Sequence, residues 1–302
     1  MTSSEEPVRA RATSQGSGHS RELSRPAAPE PLRTPVVDTH CHLDIADGDD
    51  GAEWLGVDAA VAAAAAVGVT RIVQVGCDLP SARWSVEAAA THPALVATVA
   101  LHPNEAPRIL ESGGRAALEA AYDEIAALAA LPQVRGVGET GLDFFRTGED
   151  GRGVQEESFR WHVDLARSLG KALVIHDRDA HDDVLRVLES QGAPDTVVFH
   201  CFSGDAAMAR RCAERGWYLS FAGTVTFKNA AALREALAVT PLDRVLVETD
   251  APYLTPTPYR GRPNASYLVP LTVRAMASTL DVDEDTLATA LWNNAQHVFG
   301  PW

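Results

Sequence analysis

Two histidines separated by one residue open the chemistry of this chain: His40 and His42, in Asp38-Thr39-His40-Cys41-His42-Leu43-Asp44. They follow a short apolar run, Pro35-Val36-Val37, that reads as a buried strand entering a core. Alternate side chains of an extended chain share a face, so both imidazoles can point at one place. Two imidazoles on one face are half of a metal site. The pair alone does not separate that reading from two packing histidines. Later strand ends shift the balance.

A fourth predicted strand runs into Gly138-Glu139-Thr140-Gly141-Leu142-Asp143. A fifth ends at His176, followed by Asp177 and Arg178, and a sixth at His200 in Phe199-His200-Cys201-Phe202-Ser203-Gly204. An eighth runs into Glu248-Thr249-Asp250-Ala251-Pro252. Four imidazoles and two carboxylates at one mouth suit two divalent ions, with magnesium, manganese and zinc all open. The spacing allows His40, His42 and Asp250 to hold one ion, His176 and His200 the other, and Glu139 to bridge. Two ions about 3.5–4 Å apart can activate a water and polarise a phosphoryl or carbonyl oxygen. Asp250 can also accept a proton from that water. Singly, each residue has an ordinary explanation: a packing histidine, a helix-start glutamate or a turn-forming aspartate.

Around these lie expected substrate contacts. Arg178 projects from the loop of His176, and Arg260 and Arg262 follow the last strand, where barrels often bind phosphate. Guanidinium groups grip phosphate bidentately, although loop arginines in so acidic a chain can simply pair with surface acids. His102, after the third strand, faces the same mouth. Asp44, Asp143 and Glu248 are expected to orient ligand histidines. His92, His162, His181 and His297 fall on helices and read as surface or packing residues.

The elements that must position these groups alternate regularly. Strands are expected at Val36–Thr39, Arg71–Val75, Val96–Leu101, Val134–Gly138, Leu173–His176, Thr196–His200, Trp217–Phe221 and Val245–Glu248. Amphipathic or Ala-rich stretches at 52–67, 81–91, 115–131, 154–169, 180–191, 205–215 and 230–238 separate them, and two more at 270–280 and 284–299 close the chain. Eight strands alternating with helices predict a parallel (β/α)8 TIM barrel over residues 35–302. An open doubly wound sheet would call for a Gly-rich phosphate loop after an early strand, and none is present. Residues 1–34, rich in Ser, Pro, Ala, Arg and Glu, lack periodicity and are expected to be a disordered extension.

The 302 residues carry a formal net charge of −15, and lysine occurs only at positions 171 and 228. Such a field repels polyanions in general, so binding of nucleic acid requires local cations. No apolar run of about 18 residues is present, so no membrane span is expected. Four scattered cysteines and no secretory apolar segment point to free thiols and a cytoplasmic setting. No obligate protein partner is implied.

These motifs resemble the signatures of the TatD family: Asp38-Thr-His-Cys-His-Leu, Gly138-Glu139-Thr-Gly-Leu-Asp143, Val174-Ile-His176-Asp-Arg178, His200-Cys-Phe-Ser-Gly204 and Glu248-Thr-Asp250-Ala-Pro-Tyr253. The resemblance covers about residues 35–300. It implies a TIM-barrel metal-dependent hydrolase of the amidohydrolase superfamily, usually a deoxyribonuclease. It also implies that His40, His42, Glu139, His176, His200 and Asp250 bind the metals. The chain departs from the family pattern at Thr140, Asp177, Asn104 and Arg262, of which Asp177 adds negative charge near the substrate. The expected activity is cleavage of DNA phosphodiesters from a strand end. The alternatives are an esterase or deacylase acting on a carbonyl, such as an aminoacyl-tRNA ester, and a non-catalytic metal-binding protein.

Overall fold

Alternating inward and outward residues build the barrel wall. In a computed structural model, which describes residues 6–11, 24–47, 54–300 and 302, eight parallel strands lie side by side in the order β2 (Val36–Cys41), β4 (Val69–Gly76), β5 (Leu95–Val99), β6 (Val134–Asp143), β7 (Ala172–Arg178), β8 (Val197–Phe199), β9 (Tyr218–Phe221) and β10 (Val245–Val247). Two short strands, β1 (Arg9–Arg11) and β3 (Ile45–Asp47), form a separate pair. The last barrel strand returns to the first at the mouth. Asp250 N donates to His40 O at 2.9 Å and His42 N donates to Ala251 O at 2.8 Å.

All eight expected strands are present. Thr39 Oγ1 lies 3.1 Å from Ser220 Oγ, on a strand across the barrel, so Thr39 faces the interior. By alternation Val37 does too. It joins a cluster with Val73, Val96, Val174, Val198, Tyr218 and Leu246. Val298 and Phe299 of the C-terminal helix α9 (Glu284–Phe299) close that cluster from the end opposite the mouth. A second, larger core lies between the strands and the outer helices: α1 (Val57–Ala65), α2 (Leu79–Thr91), α3 (Glu105–Ala129), α4 (Glu149–Leu169), α5 (His181–Gln191), α6 (Ala206–Glu214), α7 (Ala231–Val239) and α8 (Val269–Leu280). Aspartates start several of them. Asp78, Asp205 and Asp283 each accept a backbone N–H from the first turn.

Some boundaries differ from the expected ones for local reasons. Helix α3 starts at Glu105 rather than near residue 115, and it bends at Gly114, whose φ is +72°. The Gly113-Gly114 pair hides this continuity, since glycine weakens a helical pattern. Strand β6 runs five residues beyond Gly138, so Glu139 lies inside a strand, with a register irregularity between Val137 and Thr140. Such irregularities re-aim side chains. Gly141, at φ +135°, lies directly against the His176 carbonyl, leaving no room for a Cβ. Strand β8 stops at Phe199, which leaves His200 in the following turn. Helix α1 begins at Val57; positions 48–53 lie outside the described residues.

Of the extension expected to be disordered, residues 6–11 and 24–34 are described; positions 1–5 and 12–23 lie outside the described residues. Strand β1 pairs with β3, and Val8 N and Arg9 N both donate to Asp44 O. Arg9 NH2 lies 3.2 Å from Asp44, whose side chain is 0% exposed. Arg11 donates to the Pro252 carbonyl and covers the Tyr253 ring. Leu32 is buried, and Tyr267 OH donates to Pro26 O at 2.7 Å. Composition alone misses this because the segment has no core of its own; it borrows the barrel's acids and carbonyls. Removing residues 1–11 therefore leaves Asp44 buried with Gln74 but without its cation. Thermal denaturation should show a loss of about 1–3 kcal/mol, the scale of a broken charge-assisted contact to a buried group. An unchanged melting temperature would show that the segment does not dock.

Candidate metal centre

Strand ends deliver six groups to one point, with Glu139 in the middle. Its side chain sits among histidines and is 5% exposed as a residue. Oε2 lies 3.1 Å from His40 Nε2 and 2.8 Å from His200 Nε2. Oε1 lies 3.3 Å from His102 Nε2 and 4.0 Å from His176 Nδ1. The two oxygens thus face different sets of imidazoles. On the far side of His40, Asp250 Oδ1 lies 3.4 Å from His42 Nε2 and 3.9 Å from His40 Nε2. His200 stands between the two halves. It stacks on His40 with ring centroids 3.9 Å apart and lies 3.4 Å from His176.

Neighbouring acceptors fix the imidazole tautomers. His42 Nδ1 is 3.2 Å from Val75 O, which can only accept, so Nδ1 carries the proton and Nε2 presents a lone pair to the centre. His200 Nδ1 faces Glu248 Oε1 at 3.3 Å, and the same oxygen accepts from Cys201 N at 2.7 Å. His200 Nε2 therefore also presents a lone pair, directly at Glu139 Oε2. Two acceptors that close need a shared cation or a proton between them. Without a cation the proton goes to His200: burial disfavours its charged form, but Glu139 and Glu248 overcome that and hold its pKa well above the usual value. Glu139 is held well below the carboxylate range by His200 and His40, against its burial.

A divalent ion fits this donor set. Glu139 Oε2 and both nitrogens of His40 are buried without a hydrogen-bond partner, although such groups normally have one. Triads whose ligand atoms all lie within 4.8 Å are His40–His200–Asp250, His40–His42–Glu139 and His102–Glu139–His176. His102 differs from the rest. Its Nδ1 accepts from Asn104 N at 3.2 Å, so in the neutral ring Nε2 carries the proton and donates toward Glu139. Burial, with His176 next, pushes its pKa down to about 3 and keeps it neutral. It is thus placed as a hydrogen-bond donor beside the ligand set.

The orienting acids are partly as expected. Asp143 faces His176 Nε2 at 3.4 Å, and Glu248 holds His200. Asp44 serves Gln74 and Arg9 instead of a histidine. Asp177 pairs with His181 at 2.8 Å, which offsets the charge it adds. Arg178 sits at the mouth with its guanidinium 3.8 Å from the Phe145 ring centroid. Arg262, expected to meet substrate phosphate, has a different partner: its guanidinium donates to Ser24 O, Ser24 Oγ and Arg25 O at 2.9–3.1 Å. Sequence reasoning missed Gln155, a buried helix residue whose Oε1 accepts from Asp143 N at 3.0 Å. A polar residue on the buried face of an amphipathic helix was the available signal.

The family described as TatD related DNase matches residues 37–300. The chain belongs to the TatD family. A Mycobacterium tuberculosis relative described as an uncharacterized metal-dependent hydrolase TatD is 47% identical over 88% of this chain and 98% of its own length. A Citrobacter rodentium relative, described as a 3'-5' ssDNA/RNA exonuclease TatD, is 33% identical over 80% of this chain and 91% of its own. The crystal structure of YjjV, a TatD homologue from Escherichia coli, superposes with a TM-score of 0.77 at 27% identity, covering 88% of this chain and 98% of that one. This TatD chain is therefore a metal-dependent hydrolase on a TIM barrel. Its segment before residue 37 lies outside the family match. Among the described residues no helix is long and apolar enough to cross a membrane.

The wall behind the centre contains one more titratable group. His162 of α4 accepts from Leu101 N at 3.1 Å and donates through Nδ1 to Ser158 O at 2.7 Å, fixing the approach to His102. Burial lowers its pKa from 6.5 to about 4. The unfolded chain then binds a proton that the native chain refuses. This contribution to stability is complete above pH 6.5 and is lost as pH falls toward 4, by about 3 kcal/mol. Denaturant unfolding at pH 7 and pH 4 should show a smaller pH-dependent loss in His162→Asn than in the wild type. Equal losses would contradict the assignment.

Proposed function

We propose that the protein hydrolyses phosphodiesters of nucleic acid, DNA first, working from a strand end. The supporting observation is that the two oxygens of Glu139 face separate histidine sets, and that Oε2, between His40 and His200, is buried without a hydrogen-bond partner. That arrangement suits a carboxylate shared by two divalent ions. His40, His42 and Asp250 would hold one, His176 and His200 the other, and Glu139 both. When bound, such ions polarise a phosphoryl oxygen and acidify the attacking water.

The remaining chemistry belongs to the chain. Asp250 is half-buried at φ +54°, a conformation rare outside glycine, and its N–H bond to His40 O and its carbonyl's bond from Tyr253 N hold it there. Its carboxylate accepts the proton of the attacking water. Glu139 keeps the ligand imidazoles together, and His102 donates a hydrogen bond at the rim. Arg178 supplies the cation that a polyanion needs at the mouth of an acidic protein. The description of the Citrobacter rodentium relative as a 3'-5' ssDNA/RNA exonuclease supports the same reading.

Steady-state kinetics on a short labelled DNA strand test it. Asp250→Asn should lower kcat about 100-fold or more, the scale of lost general-base help. Arg178→Ala should chiefly raise KM and flatten its dependence on salt, because one phosphate contact is gone. Turnover of an aminoacyl ester without cleavage of the DNA strand would replace this reading with the carbonyl one.

A further inference from the structure

Arginines on the outer helices and arginines at the mouth are partnered differently. On the helices Arg83 meets Glu124, Arg115 meets Glu157, Arg186 meets Glu156 and Arg215 meets Glu189. At the mouth Arg178 lies over Phe145, and Arg260 lies over Phe227 at 4.3 Å. Among the described residues neither guanidinium reaches a carboxylate, although the chain has 41 acids. Phe145 is 63% exposed, which burial does not reward.

Position adds to this. Asp143 pairs with Arg178 in the β6–β7 ladder, and Phe144 N donates to Arg178 O at 2.9 Å. The first stack therefore sits at the end of the two strands that deliver Glu139 and His176. The second joins Phe227, on the loop after β9, to Arg260, on the loop after Asp250. Lys228, one of two lysines in the chain, follows Phe227 and is exposed. Strand β8, which leads to His200, runs between the two stacks.

We propose that Phe145–Arg178 and Phe227–Arg260 are base-stacking subsites that receive unpaired nucleotides on either side of the metal centre. The proposal rests on the phosphodiesterase reading and deepens it to single strands. A ring covered on one face by a guanidinium keeps its other face for a nucleobase, while the guanidinium's N–H rim stays available to phosphate. Cations alternating with stacking rings are how single strands are held without reading their sequence. A duplex base has both faces covered by its neighbours and cannot use such a subsite.

The test compares Phe145→Ala, Phe145→Trp and wild-type enzyme on a short single strand, the same strand carrying abasic sites near its end, and a blunt duplex. Phe145 is exposed, so folding should survive; equal melting temperatures check this. Phe145→Ala should raise KM for the ordinary strand about ten-fold, the scale of one lost base–aromatic contact. It should leave KM for the abasic strand unchanged and shrink the preference for single strand over duplex. Phe145→Trp should retain wild-type behaviour, and Phe227→Ala should show a smaller loss of the same kind. If Phe145→Ala affects ordinary and abasic strands equally, or neither, the stacking subsite is wrong while the nuclease reading stands. If wild-type enzyme cleaves no strand at all, the nuclease reading falls and the subsite with it.

Discussion

A carboxylate buried among four imidazoles organises this molecule. Glu139 is nearly out of water, and a buried ion without compensation costs several kcal/mol. His102 donates to Oε1, but at Oε2 the nearest imidazole is no ordinary donor, because Glu248 behind His200 fixes that ring's proton on the outward nitrogen. The lone pairs turned inward can be satisfied only by a cation or by added protons. Strand β6 bends to place this carboxylate, Gly141 lets β6 approach β7, and Glu248 and Asp143 hold the opposing rings. The barrel supplies the rigidity that keeps two acceptors, Glu139 Oε2 and His200 Nε2, within 3 Å of one another.

Charge outside the centre follows a second constraint. At net −15, any polyanion must be attracted locally. Many arginines are spent on the acids of the outer helices, where exposed pairs contribute little stability. The segment before the barrel places Arg9 and Arg11 beside Asp44 and Tyr253, and Arg262 turns back to clasp Ser24 and Arg25. The mouth is therefore lined partly by a segment beyond the span shared with the family.

The barrel was legible because its signal is periodic: eight apolar runs, each punctuated by Gly, Pro or Asp, correspond to eight strands. The gathering of His40, His42, Glu139, His176, His200 and Asp250 was legible because barrels gather strand ends, so residues far apart in sequence need only share a register position. Contacts made by exchange between distant loops were not legible. Arg262 looks like a phosphate clamp in sequence, and only the folded chain reveals the Ser24 carbonyl that takes its donors. His102 looks like any mouth histidine until the Asn104 N–H at its Nδ1 sets its tautomer. The first half of α3 was hidden by its glycine pair, and docking of the N-terminal segment by its polar composition.

On the proposed reading, one carboxylate, Glu139, would serve two ions. Elemental analysis of purified, metal-loaded protein and of Glu139→Ala measures this directly, with circular dichroism confirming that the variant folds. About two divalent ions per wild-type chain are expected, with depletion of both in the variant. One full site remaining in Glu139→Ala, or a single ion in the wild type, would contradict it.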